Sequence, residues 1–231
     1  MKTLTCALML CLLAPILLYA GDTAIFVDLG FSPDYRYFAF AQYGEQDGSG
    51  FPYAELYIVD VVKNSFAPGG VVKTTWQEDS EPLAKGIHVL LEARLKADSL
   101  FNAYNIDAKL QPRILVSRDT AEREEVEWKL QDGENIKLQL KQAGDGDHGM
   151  YTSSAAFQID ILEDSKSSKI IGNFKRFRKY VIRYDIDRVL TFGDDKAVIV
   201  VVRMTKRGFE GPDIRYMVEA FMRSDKAQNK E

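Results

Sequence analysis

Ile136, Leu138 and Leu140 alternate with Lys137, Gln139 and Lys141. A chain whose apolar residues recur at every second position must run as an extended strand, with one face on a core and the other in water. Phe157, Ile159 and Ile161 repeat the pattern, as do Tyr180, Ile182, Tyr184 and Ile186 set against Arg183 and Asp185. The continuously apolar run Ala197–Val202 predicts a strand buried on both faces, and Ile214–Met222 completes a hairpin across the loop Lys206–Asp213. Ile114–Ser117 and Val126–Leu130 are shorter candidates.

Towards the beginning, Ile25–Leu29, Tyr37–Tyr43, Tyr53–Val62 and Val71–Trp76 read as four further strands, separated by Pro-Asp and Gly-rich turns. Tyr37 and Tyr43 fall on one face of their strand and Phe38 and Phe40 on the other, which predicts burial on two sides. Between Glu81 and Tyr104 the period changes. Leu83, Ile87, Leu90, Leu91, Arg94 and Phe101 follow helical spacing, Ser80 supplies an N-cap and Pro82 fits the first turn. The expected fold is therefore mainly β (α+β): antiparallel sheets of about nine or ten strands, with one long helix over 81–104 covering a sheet face. Two β units, 22–76 and 112–222, flank that helix within a single β-rich domain spanning 21–224, followed by a polar tail.

Residues 1–20 carry Lys2, an apolar run from Leu4 to Leu18 broken by Pro15, and the small residue Ala20. This is the order of a cleavable secretion signal, and the run is too short for a membrane span. Both cysteines, Cys6 and Cys11, lie inside it. Leu10 before Cys11 is too large for a lipoprotein cleavage site. The exported chain therefore has no disulfide, no thiol nucleophile, no thiolate metal site and no stable membrane anchor after cleavage. The net charge of −4 argues against nucleic acid as a partner.

Motifs of known chemistry are missing. No GxSxG, HExxH or phosphate-cradling Gly-rich loop occurs, so neither a catalytic residue nor a cofactor is assigned. His88 and His148 are the only histidines. The loops Glu45–Gly50 and Gly144–Gly149 each offer two carboxylates, but neither completes a calcium loop, and no metal is expected. The run Lys175-Arg176-Phe177-Arg178-Lys179 suits an anionic ligand, and it equally suits a charged strand edge that discourages sheet pairing.

Two Gly-Phe loops stand out, Gly50-Phe51-Pro52-Tyr53 and Gly208-Phe209-Glu210-Gly211-Pro212-Asp213. Glycine and proline fix an unusual backbone path around each aromatic ring. Antiparallel hairpins can bring both loops to one end of a sheet. There Phe51, Tyr53 and Phe209 would form an apolar floor rimmed by Asp47, Glu210 and Asp213, suited to a peptide, a sugar ring or a partner strand. Buried loop plugs are the alternative for Phe51 and Phe209.

Two resemblances follow from these stretches. FSPDYRYFAF with ELYIVDV resembles one blade of the periplasmic β-propellers, although a propeller needs at least four. YGEQDGSGFPYAELYIVD and RGFEGPDIRYMV, with the leader, resemble the bacterial predicted secreted protein family, domain of unknown function 2259; the family's usual glycine after Pro-Asp is Tyr35 here. That resemblance implies a bacterial exported protein with no catalytic residues to carry over. The sequence reading is a periplasmic or secreted binding or assembly module without catalytic activity, partnered by an envelope protein or glycan. The alternative is a carboxylate-based hydrolase acting on an envelope polymer.

Overall fold

A computed structural model describes residues 21–76, 85–117, 123–144, 153–164 and 166–223. The leader, Ser80, Pro82, the segment 145–150 with His148, and the polar tail lie outside them. The described residues form thirteen strands and two helices. The first sheet is an antiparallel meander of β1 (Ile25–Phe31), β2 (Tyr37–Glu45), β3 (Pro52–Asp60) and β4 (Ser65–Thr75). Helices α1 (Lys85–Lys96) and α2 (Asp98–Ala103) follow. The central sheet has the order β13-β12-β11-β5, from β5 (Arg113–Val116), β11 (Val181–Phe192), β12 (Ala197–Arg207) and β13 (Pro212–Met222). A third sheet joins β6 (Glu125–Lys129), β7 (Asn135–Gly144), β8 (Ser154–Glu163), β9 (Lys166–Gly172) and β10 (Arg178–Lys179).

Three apolar clusters lie between these layers. β12 explains the stacking, because Ala197–Val202 is buried at every position. Its residues Val198, Val200 and Val202 pack with Leu138, Phe157 and Ile159 of the third sheet. Ala197, Ile199 and Val201 turn the other way and pack with Phe31, Phe38 and Phe40 of the first sheet. The period-two rule thus makes one strand serve two cores. The opposite face of the first sheet, with Ala41, Ala54 and Leu56, is covered by Val89, Leu90, Ala93 and Phe101 of the helices. Tyr37 and Tyr43 sit on that helix side, while Phe38 and Phe40 face the central sheet.

One long covering helix is not what forms. The helical segment divides at Ala97, where ψ is 2°. Asp98 and Ser99 favour helix starts over helix interiors, since their short polar side chains compete for backbone groups. The break aims Phe101 into the core beneath the Arg94 guanidinium, 3.7 Å from its ring centroid. Ile87 and Leu91, assigned by spacing to the buried face, are exposed, and Val89 and Ala93 take their place. Gly86 permits the close approach of α1 to the sheet, because a Cβ there would stand 2.9 Å from the Tyr43 ring.

The strand count also exceeds nine or ten. β9 (KSSKIIG) and the two-residue β10 lack apolar alternation and lie along one edge of β8. Tyr35 adopts φ of 64°, the left-handed conformation that glycine favours. Its ring packs edge-on against Phe192 at 5.3 Å.

Candidate functional site

The two Gly-Phe loops do meet. Asp47, at the tip of the β2–β3 loop, accepts hydrogen bonds from the N–H groups of Phe209 and Glu210 in the β12–β13 loop, each at 2.8 Å and through Oδ2. Each loop is also closed on itself. Gly50 N–H donates to the Gln46 carbonyl at 2.9 Å and Gly208 N–H to the Gly211 carbonyl at 3.0 Å. Gly208 is obligatory, since a Cβ would stand 2.3 Å from the Gly211 oxygen and 2.4 Å from Asp213 Oδ1.

Between the loops lies a cleft of about 480 Å³, whose lining includes Asp47, Phe209, Asp213, Tyr180, Arg207 and Arg215. Phe209 is 81% exposed although its backbone is fixed. Tyr180 is also exposed, on a left-handed backbone (φ 65°) whose carbonyl accepts from Arg207 N–H at 2.8 Å. Asp47 Oδ1 is shielded from solvent and accepts no hydrogen bond from the described residues.

Beneath the cleft sits a polar knot. The Tyr53 hydroxyl donates to Asp22 Oδ1 at 2.9 Å, Arg215 pairs with the same carboxylate, and Asp22 N–H donates to Asp213 Oδ1 at 3.2 Å. Arg215 also lies 4.7 Å from the Tyr53 ring centroid and donates to the carbonyls of Asp22 and Ile214. Burial pushes the Asp22 carboxyl above the ordinary value of 3.8, even with Arg215 and Tyr53 favouring its charged form. Burial likewise raises the Tyr53 hydroxyl, and the Asp22 charge adds to it.

The six residues named from sequence therefore divide. Asp47, Phe209 and Asp213 line the cleft. Glu210 is exposed on the same loop, and Phe51 is half-buried, with its carbonyl accepting from Gln46 N–H at 2.9 Å. Tyr53 is only 4% exposed and lies below the cleft, its hydroxyl spent on Asp22. Sequence reasoning overlooked Asp22, Tyr180, Arg207 and Arg215. Nothing local marks Asp22 and Arg215 as partners, because they lie 193 residues apart.

The other sequence candidates are placed elsewhere. His88 is exposed on α1 near Trp76. Arg178 and Lys179 form β10, while Arg176 and Arg178 line a second groove. Among the described residues no group of three or more His, Cys, Asp or Glu side chains is placed to hold a metal ion. No helix among them is long and apolar enough to cross a membrane.

The molecule is thus a layered antiparallel β protein with a loop-built surface cleft. Residues 39–222 match the family described as predicted secreted protein, domain of unknown function 2259, and the chain belongs to that family. No curated protein and no solved structure gives a significant match. The family description makes this an exported protein.

Proposed function

We propose that the protein is a binding or assembly module of the bacterial periplasm or exterior, that it catalyses no reaction, and that it captures an envelope protein or glycan at the cleft between its Gly-Phe loops. The observation that carries this reading is Phe209: a large aromatic side chain held out in water by a loop whose backbone is pinned to Asp47. A rigid, exposed aromatic pays little ordering entropy on association, the property that concentrates binding energy in a few such residues. The fitting partner therefore presents an apolar surface to this ring.

A carboxylate-based hydrolase finds less support. The Asp22 carboxylate, the one in the cleft that burial pushes towards an acid's role, has both oxygens committed, to Tyr53 and to Arg215. Capture from envelope extract tests the proposal. The mature protein should retain one stoichiometric partner, and turnover of peptidoglycan or envelope glycan by the purified protein would overturn it.

A further inference from the structure

The basic run Lys175–Lys179 has no part in the cleft, and the structure turns two of its side chains into a separate groove. That groove follows β13, an edge strand of the central sheet. Two adjoining cavities, of about 480 and 410 Å³, run along it and share Phe66, Arg178, Met217 and Val218. Each lies in the size range of small-molecule pockets. Phe66 and Val71 line the groove on the first-sheet side, both exposed.

The backbone of β13 is already engaged along much of its outer edge. Three of its outward N–H groups are taken: Ile214 donates to the Asp22 carbonyl at 2.7 Å, Tyr216 to Gln42 Oε1 at 2.8 Å, and Ala220 to Asn64 Oδ1 at 2.7 Å. An added polypeptide strand would have to displace all three. Recognition in this groove therefore falls to side chains.

Those side chains combine apolar surface with positive charge. Arg176, Arg178 and Lys206 line the groove, and among the described residues none of them forms an ion pair. Lys73 is neutralised by Glu55 at 2.6 Å and Arg215 by Asp22. Glu219, the other carboxylate on the groove, is engaged by the Asn64 side-chain amide. On a chain of net charge −4, this is a local concentration of cations without ion pairs among the described residues, beside exposed aromatic and aliphatic surface, with the Glu219 carboxyl within electrostatic reach of Arg176 and Arg178. An anionic membrane meets a net-acidic protein here, so a soluble ligand that enters the groove fits better than a surface that covers it.

We infer that the β13 groove binds a single-chain anionic amphiphile of the long-chain fatty-acid type. Its carboxylate pairs with Arg176, Arg178 and Lys206, and its chain lies over Phe66, Met217 and Val218. This site is separate from the Gly-Phe cleft, and neither proposal depends on the other.

The test is titration of the mature protein with dansyl-labelled undecanoic acid, followed by fluorescence. Saturable one-site binding is expected, weakened about tenfold or more both by methyl esterification of the probe and by the double variant Arg176→Gln/Lys206→Gln. Phe209→Ala should bind the probe like the parent. Should the double variant fail to fold, the ester comparison on the parent protein still decides. The inference is overturned if binding does not saturate, or if the ester binds as tightly as the acid. It also fails if the protein sediments with phosphatidylglycerol vesicles while ignoring the soluble probe.

Discussion

Asp47 holds the backbone of Phe209 across 162 residues of sequence, with its Oδ2 2.8 Å from the Phe209 nitrogen. The same oxygen takes the Glu210 N–H, so one carboxylate fixes the loop that carries the exposed ring. Asp47→Ala removes a charge-assisted acceptor from both amides. It should cost about 1–3 kcal/mol in urea unfolding and speed hydrogen exchange at Phe209 and Glu210. Unchanged exchange there would mean that the loop stands without its pin.

The knot beneath the cleft makes a sharper demand. Arg215→Leu leaves the Asp22 carboxylate buried with Tyr53 as its remaining side-chain donor. Breaking a buried ion pair from one side typically costs about 3–5 kcal/mol, and thermal or denaturant unfolding should show a loss of that order. The double variant Arg215→Leu/Asp22→Asn should recover a good part of it, because the orphaned charge is gone.

Glu55 and Glu219 should respond to pH in opposite senses. Burial opposes ionisation of Glu55, but hydrogen bonds from Lys73, Tyr57 and Gln42 outweigh it and hold its carboxyl below the ordinary 4.5. Glu55 therefore contributes stability that is present above that value and lost as pH falls through the lowered native pKa. Burial holds the Glu219 carboxyl above 4.5 despite the Asn64 hydrogen bond. In that case the native state keeps its proton longer than the unfolded chain, and stability declines as pH rises through the window beginning near 4.5. With rising pH, Glu55→Gln should lose ground to the parent in the window below about pH 4.5, while Glu219→Gln should gain on it in the window above about that value. Parallel pH profiles for the two variants would contradict both assignments.

β12 joins two cores, which predicts that they unfold together. Ile199→Ala opens the interface with the first sheet and Ile159→Ala the interface with the third. Each should cost about 2–5 kcal/mol and leave a single cooperative transition. Two separated transitions in Ile199→Ala would show that the β units 22–76 and 112–222 fold independently, and in Ile159→Ala that the third sheet unfolds apart from the central one.

How much of this was legible in sequence follows from range. Strand periodicity is local, so the alternation at 136–141 and the continuous run at 197–202 place β7 and β12 correctly, with the latter buried on both faces. Edge strands such as KSSKIIG need no apolar alternation and leave no such mark. The helix break at Ala97 is written only in Asp98-Ser99, a weak signal inside a stretch of helical spacing. At the cleft, glycine and proline disclosed the two loops because strained backbone restricts residue choice. Asp22 and Arg215 stayed invisible because an ion pair closed across the whole chain has no sequence spacing.

The most direct test of the binding account is Phe209→Ala, measured twice on the same preparation. Because the ring is 81% exposed, its removal should change unfolding free energy by less than about 0.5 kcal/mol. Capture of the envelope partner should fall by about tenfold or more, as expected for a central aromatic anchor. Capture equal to that of the parent protein, with stability intact, would contradict the claim that this ring is what the cleft presents to its partner.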